Sequence, residues 1–227
     1  MSDIYVNSSQ VAVARNNVLR NTYLLLGISL IPTIFGALLG VNLDFSFMRA
    51  SPIMFSLGFL AVFYGLIFAI EKNRESSTGV FLLLGFTFLM GVMLGPILQV
   101  ALGLRNGGQL VTMAAGGTSL VFVVMAAIAT TTKRDLSGLG RFLTVGAVVL
   151  MIAVFANIFF QIPALSLTIT SLFVVFSSLV ILWQLHAIVN GGETNYVSAT
   201  LTLYVQIYNL FTSLLRLLMV FGGGDRD

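Results

Sequence analysis

The chain has no cysteine, so disulfides and thiolate metal sites play no part in it. Charge is almost as scarce. Only 8% of the 227 residues are charged, against about 25% in a soluble domain. Too little polar surface remains to cover a water-soluble globule, so lipid must solvate most of the chain. The formal charge of +3 is small, and no basic run points to nucleic acid. There is a single histidine. The H-E-x-x-H, G-x-S-x-G and G-x-x-x-x-G-K patterns are absent. No catalytic residue, cofactor site or metal site is expected, and the chain does not read as an enzyme.

Apolar residues make up the balance: 58% of the chain, with a mean hydropathy of +1.02. They gather into seven stretches, 22–41, 51–70, 79–103, 110–131, 139–160, 163–189 and 196–221. Each is long enough to cross a bilayer, which takes about 20 residues. Ten-residue alternation is missing, so a transmembrane barrel is excluded. Backbone groups in lipid must be satisfied within their own segment, which makes the spans helices. The fold class expected is an all-α integral membrane protein.

Lysine and arginine set the orientation. Arg15, Arg20, Lys72, Arg74, Lys133, Arg134 and Arg141 fall on one side, and Arg49, Arg105 and Arg226 on the other. The positive-inside rule places the first side, and the N-terminus, in the cytoplasm. Residues 1–21 then form a cytoplasmic tail, 22–221 the seven-helix domain and 222–227 a short outer tail. The first span is no removable signal peptide, since 36–41 offers no A-x-A site.

Several residues fix local geometry. Gly36-x-x-x-Gly40 and Gly91-x-x-x-Gly95 have the spacing that lets helices approach closely. Such faces serve packing within one chain or between chains, so a homo-oligomer stays open. Gly95-Pro96 should kink the third span. Pro163 suits the start of the sixth helix, and Gly191-Gly192 its end. Thr194 or Asn195 can cap the seventh.

Polar residues inside the spans are the candidate functional positions: Asn157, Gln184, His186, Gln206 and Asn209, with Arg216 near the outer end of the seventh helix. Asn157 and Asn209 read as interhelical hydrogen-bonding glue. His186 reads as an interfacial histidine with a local hydrogen bond, or as a pH sensor. Arg216 reads as a snorkelling side chain. Acids on the basic side, among them Asp3, Glu71, Glu75, Asp135 and Glu193, read as a solvated face.

The run Gly191-Gly192-Glu193-Thr194-Asn195-Tyr196, with Ala199-Thr200 and Leu203-Tyr204-Val205-Gln206-Ile207-Tyr208-Asn209-Leu210-Phe211, resembles the C-terminal signature of the Bax-inhibitor family. Gly91-x-x-Leu94-Gly95-Pro96-Ile97-Leu98, Ala156-Asn157-Ile158-Phe159-x-Gln161-x-Pro163-Ala164-Leu165 and Val18-Leu19-Arg20-Asn21-Thr22-Tyr23 also fit it. The likeness spans nearly the whole chain. It is strongest to a proteobacterial branch that modulates the membrane AAA protease FtsH.

The resemblance implies seven transmembrane helices with the seventh enclosed by the other six. It also implies residence in the bacterial inner membrane, with FtsH and the lipid bilayer as partners. The cytoplasmic tail would be the protease's handle; fully extended, it would reach roughly 70 Å at about 3.3 Å per residue. Calcium-leak members of the family resemble one another in an aspartate on each of the last two helices. Laid over this chain, those positions fall on Gln184 and Gln206. A close carboxylate pair titrates as a unit and makes a pH switch, whereas two glutamines cannot ionise. They are expected to lie within hydrogen-bonding reach of each other, directly or through one water or a neighbouring polar group such as Asn209. The second span also lacks an arginine latch. The alternative function, a residual ion (calcium) leak channel or transporter without the pH-sensing pair, stands beside that of protease partner.

Overall fold

The computed structural model describes residues 2–222, with side chains from Arg15 onward except those of Arg49 and Ser137. The remainder of the expected outer tail, with Arg226, lies outside the described residues, as does the side chain of Asp3. Among the described residues the chain forms helices only: α1 (Ser2–Val41), α2 (Ser46–Ala50), α3 (Pro52–Lys72), α4 (Ser77–Met93), α5 (Gly95–Leu102), α6 (Gly107–Thr131), α7 (Ser137–Phe160), α8 (Pro163–Val189) and α9 (Tyr196–Gly222). Seven spans are long and apolar enough to cross a membrane. They coincide with the expected stretches to within a few residues, except at the N-terminus.

There the helix runs on through the residues expected as a tail. Of the 40 residues of α1, the span Arg15–Val41 accounts for 27. The other 13 continue the helix for about 20 Å at 1.5 Å per residue, well short of the reach of an extended chain.

The third span is broken as its Gly-Pro pair requires. Leu94 separates α4 from α5, and its N–H turns back to the Gly91 carbonyl at 3.0 Å. Pro96 has no N–H for the Val92 carbonyl. That carbonyl lies where a Cβ on Gly40 would sit. The two glycine pairs face each other across this line. A Cβ on Gly36 would strike the Phe88 carbonyl, one on Gly91 the Thr33 carbonyl, and one on Gly95 the Gly40 carbonyl. The α1–α4 contact is the most extensive in the bundle. The break also aims Gln99 of α5 at the end of α1, where its amide donates to the carbonyls of Val41 at 3.0 Å and Leu43 at 2.8 Å. Those carbonyls would otherwise be orphans of the helix terminus.

Helix α9 packs against α1, α3, α4, α5, α6 and α8, and makes no extensive contact with α7, which is held mainly by α8. The expected enclosure by all six other spans is therefore not found. Of the most apolar stretch of α9, 28% is buried, against 44% for the third span.

Candidate functional site

Polar groups collect along α9 in three tiers. The first is at the end of the bundle that carries most of the lysine and arginine, here the basic end. Pro163 opens α8. Gly191, at a φ of 77° that glycine tolerates, helps close it. The N–H of Gly192 then reaches back to the Ala187 carbonyl at 2.8 Å. Asn195, not Thr194, caps α9: its Oδ1 accepts from the N–H groups of Val197 at 2.9 Å and Ser198 at 3.1 Å. Its Nδ2 donates to the Arg74 carbonyl at 3.1 Å and to Glu75 Oε1 at 3.0 Å. One side chain thus starts a helix and ties it to the α3–α4 turn.

The acids expected as a solvated face are partners in this tie. Glu71 accepts from Ser198 Oγ at 2.8 Å and lies 3.5 Å from Arg74 Nη1. Glu193 accepts from the Asn195 N–H at 2.8 Å. It also accepts from Gln184 Nε2 at 3.5 Å. Gln184 is buried, but its amide looks toward the end of the bundle rather than toward Gln206. Five residues separate it from the end of α8 and ten separate Gln206 from the start of α9. At 1.5 Å per residue the two are offset by about 8 Å along the axis. The hydrogen bond expected between them is not made: Gln206 Oε1 is buried with no partner. His186, half-buried one turn from the end of α8, takes part through its carbonyl, which accepts from Asn190 Nδ2 at 2.8 Å.

The second tier lies at mid-depth. Tyr204 is fully buried. Its hydroxyl meets Thr33 Oγ1 at 2.8 Å and donates to the Thr87 carbonyl at 3.1 Å. Thr33 also lies within hydrogen-bonding distance of the Ser29 and Thr87 carbonyls. This locks α9 to the α1–α4 seam. Around it Phe86, Leu83, Ile181 and Leu203 are fully buried. In the sequence Tyr204 stands out only as part of the family-like run, and Thr33 belongs to no motif. Their signal, a tyrosine and a threonine within apolar runs, is common and says nothing about which helices meet.

The third tier, toward the far end, is open. A cavity of about 820 Å³ separates α7 from α9. Asn157, Asn209, Thr212 and Arg216 line it, facing apolar walls that include Phe59 and Ile158. Asn157 does not serve as glue: its Oδ1 is buried with no partner. Arg216, expected to snorkel, is exposed and lines the cavity. Among the described residues no three His, Cys, Asp or Glu side chains are grouped to hold a metal ion.

Comparison with known proteins agrees with the architecture. A sequence model of the family described as inhibitor of apoptosis-promoting Bax1 matches residues 15–223. A protein of Neisseria meningitidis is 50% identical over 226 residues, covering 98% of this chain and 99% of its own. One from Pseudomonas aeruginosa is 44% identical over 223 residues, covering 97% and 98%. The modulator of FtsH protease YccA of Escherichia coli is 40% identical over 215 residues, covering 95% and 94%. The counterpart of that protein in another E. coli strain is named an inner membrane protein.

Proposed function

The chain belongs to the Bax-inhibitor family, and from that premise we propose that it is an inner-membrane partner, substrate and modulator of the AAA protease FtsH. The observation that carries this reading is near-complete coverage at 40% identity by a relative named for that activity. No catalytic role is assigned to any residue, and the protein acts by binding. The basic end lies in the cytoplasm, which puts residues 2–14 there as well. This stretch of α1 extends past the span and is the handle the protease grips. A helix of 13 residues has marginal stability on its own in water, so unwinding it for the protease costs little.

The chemistry of the two glutamines supports this reading over a pH-gated calcium leak. Neither carries a proton that can leave, and they are neither level nor bonded to each other. The fully buried side chains around Tyr204 lie between the far-end cavity and the basic end, which supports a closed bundle.

Detergent-solubilised protein should be retained by immobilised FtsH, and failure to co-purify would remove the proposal. Deleting residues 2–14 should lengthen the protein's lifetime in cells without lowering its thermal midpoint; unchanged turnover with active FtsH would show that the handle lies elsewhere. In proteoliposomes, calcium flux should be small and nearly level between about pH 6 and 8, the window in which a coupled carboxylate pair or a histidine titrates. A steep pH dependence there would restore the channel alternative.

A further inference from the structure

The far-end cavity has a position, shape and charge that the protease partnership does not use. Its walls span about one leaflet. Asn157 lies three residues inside the end of α7, while Phe173 lies ten residues inside the start of α8. At 1.5 Å per residue these are depths of about 5 and 15 Å, and half of a hydrocarbon core is about 15 Å.

The cavity opens sideways. Helix α3 packs on α2, α4 and α9, and α7 packs on α8. Near mid-depth Tyr64 Oη closes the α3–α7 seam on Met151 Sδ at 3.5 Å. Farther out, Phe59 on one side and Val154 and Ile158 on the other border the open cavity. The cavity thus borders the gap between α3 and α7.

The lining is asymmetric in charge. Arg216 is its one charged side chain, and no acid lines it. Among the described residues no carboxylate lies within 4.0 Å of Arg216. A guanidinium at this depth favours an anion, and its planar fork suits a phosphate. Asn157 and Asn209 also line the cavity, though Asn157 Oδ1 itself is buried. An occupant that suits Arg216 and the walls has an anionic phosphate and an apolar tail. The volume of about 820 Å³ lies within the range of roughly 300–1,000 Å³ usual for small-molecule sites.

We propose that the α3–α7 cavity is a binding site for an anionic phospholipid, taken laterally from the bilayer, with its phosphate on Arg216 and its acyl chains against the apolar walls. The site is independent of FtsH and is tested without it.

The full-length protein in a mild neutral detergent would be titrated with dioctanoyl phosphatidylglycerol, dioctanoyl phosphatidylcholine and inorganic phosphate, and bound species counted by native mass spectrometry. Phosphatidylglycerol should occupy one site ahead of phosphatidylcholine. Arg216→Gln should weaken it by about tenfold, the loss of one charge-assisted contact. Arg216→Lys should recover part of that loss, and Lys133→Gln, an exposed cation at the basic end, should change nothing. Equal binding of the two lipids, or binding indifferent to Arg216→Gln, would overturn the proposal. Displacement of the lipid by inorganic phosphate at equal concentration would overturn its lipid source, showing a site for a free anion.

Discussion

Two seams of this bundle, α1–α4 and α3–α7, are built from equally apolar helices and end up opposite in character. At α1–α4 four glycines let each backbone meet the other's carbonyls, with no room for a Cβ. At α3–α7 the outer turns carry Phe59, Val154 and Ile158, and the helices stand apart over a cavity. Lipid tails are as apolar as leucine, so burial in a membrane brings little hydrophobic gain. Association rests on close packing and on hydrogen bonds across helices. Small residues on both partners permit that contact and bulky ones on both prevent it. The closed seam serves as the scaffold, and the open one is left free to take a ligand.

The strongest way to break this contrast is to fill the closed seam. Gly91→Val would drive a side chain into the Thr33 carbonyl, where only movement of the backbone relieves the clash. The expected loss is about 3 kcal/mol or more, read as a fall in the detergent thermal midpoint or in folded yield. Gly58→Ala and Gly85→Ala have nothing within 4 Å of the new Cβ. They should be neutral or stabilising by up to about 1 kcal/mol through helix propensity. Equal damage at Gly91 and Gly58 would refute the account of the seam.

A smaller effect is expected where hydrogen bonds do the work of close packing. Asn195→Ala removes the cap of α9 and its tie to the α3–α4 turn. It should cost about 1–2 kcal/mol, while Thr194→Ala, beside it, should stay within about 0.5 kcal/mol. If Thr194 were the more sensitive of the two, the cap would be misassigned.

Next in size is Tyr204→Phe, which deletes a hydroxyl shared with Thr33 and the Thr87 carbonyl. The cost should be about 1 kcal/mol. Most of it should vanish in a Thr33→Val background, as coupled partners require. Strict additivity would mean that the two hydroxyls do not interact.

The smallest effect sharpens the contrast between satisfied and orphaned amides. Gln206→Leu removes a buried acceptor that has no partner, and should be neutral or slightly stabilising. Gln184→Leu strips a donor from Glu193 and should cost about 0.5–1.5 kcal/mol. Thermal midpoints shifting in the reverse order would contradict the geometry of both side chains.

Much of this was legible in the chain. The Gly-Pro break, Pro163 at the start of α8 and Gly191 at its end act through backbone chemistry over a few residues, and each is found where expected. The glycine pairs were recognised as contact surfaces, but not that they would contact each other. Gln184 and Gln206 were located on the correct helices. No direct hydrogen bond joins them, because the depth of each depends on where its helix ends and how the turn between them folds. Glu71 and Glu193 read as solvated in the sequence, which does not show that their two loops touch. Gln99 attracted no notice at all; its role exists only because the break at Leu94 carries it to the end of α1.

The division has one physical cause. Span number and length and the helix ends depend on hydropathy and local backbone chemistry, which the sequence by itself determines. The rotation of each helix about its axis does not follow from them. In water an apolar stripe tells the core from the solvent. In a bilayer, both the lipid-facing and the core-facing sides of a helix are apolar, and the sequence contrast nearly disappears. Only the tertiary structure decided that four glycines would meet, that one amide would find a carboxylate while another found nothing, and that α7 would stand off α9 to leave a cavity beside an arginine.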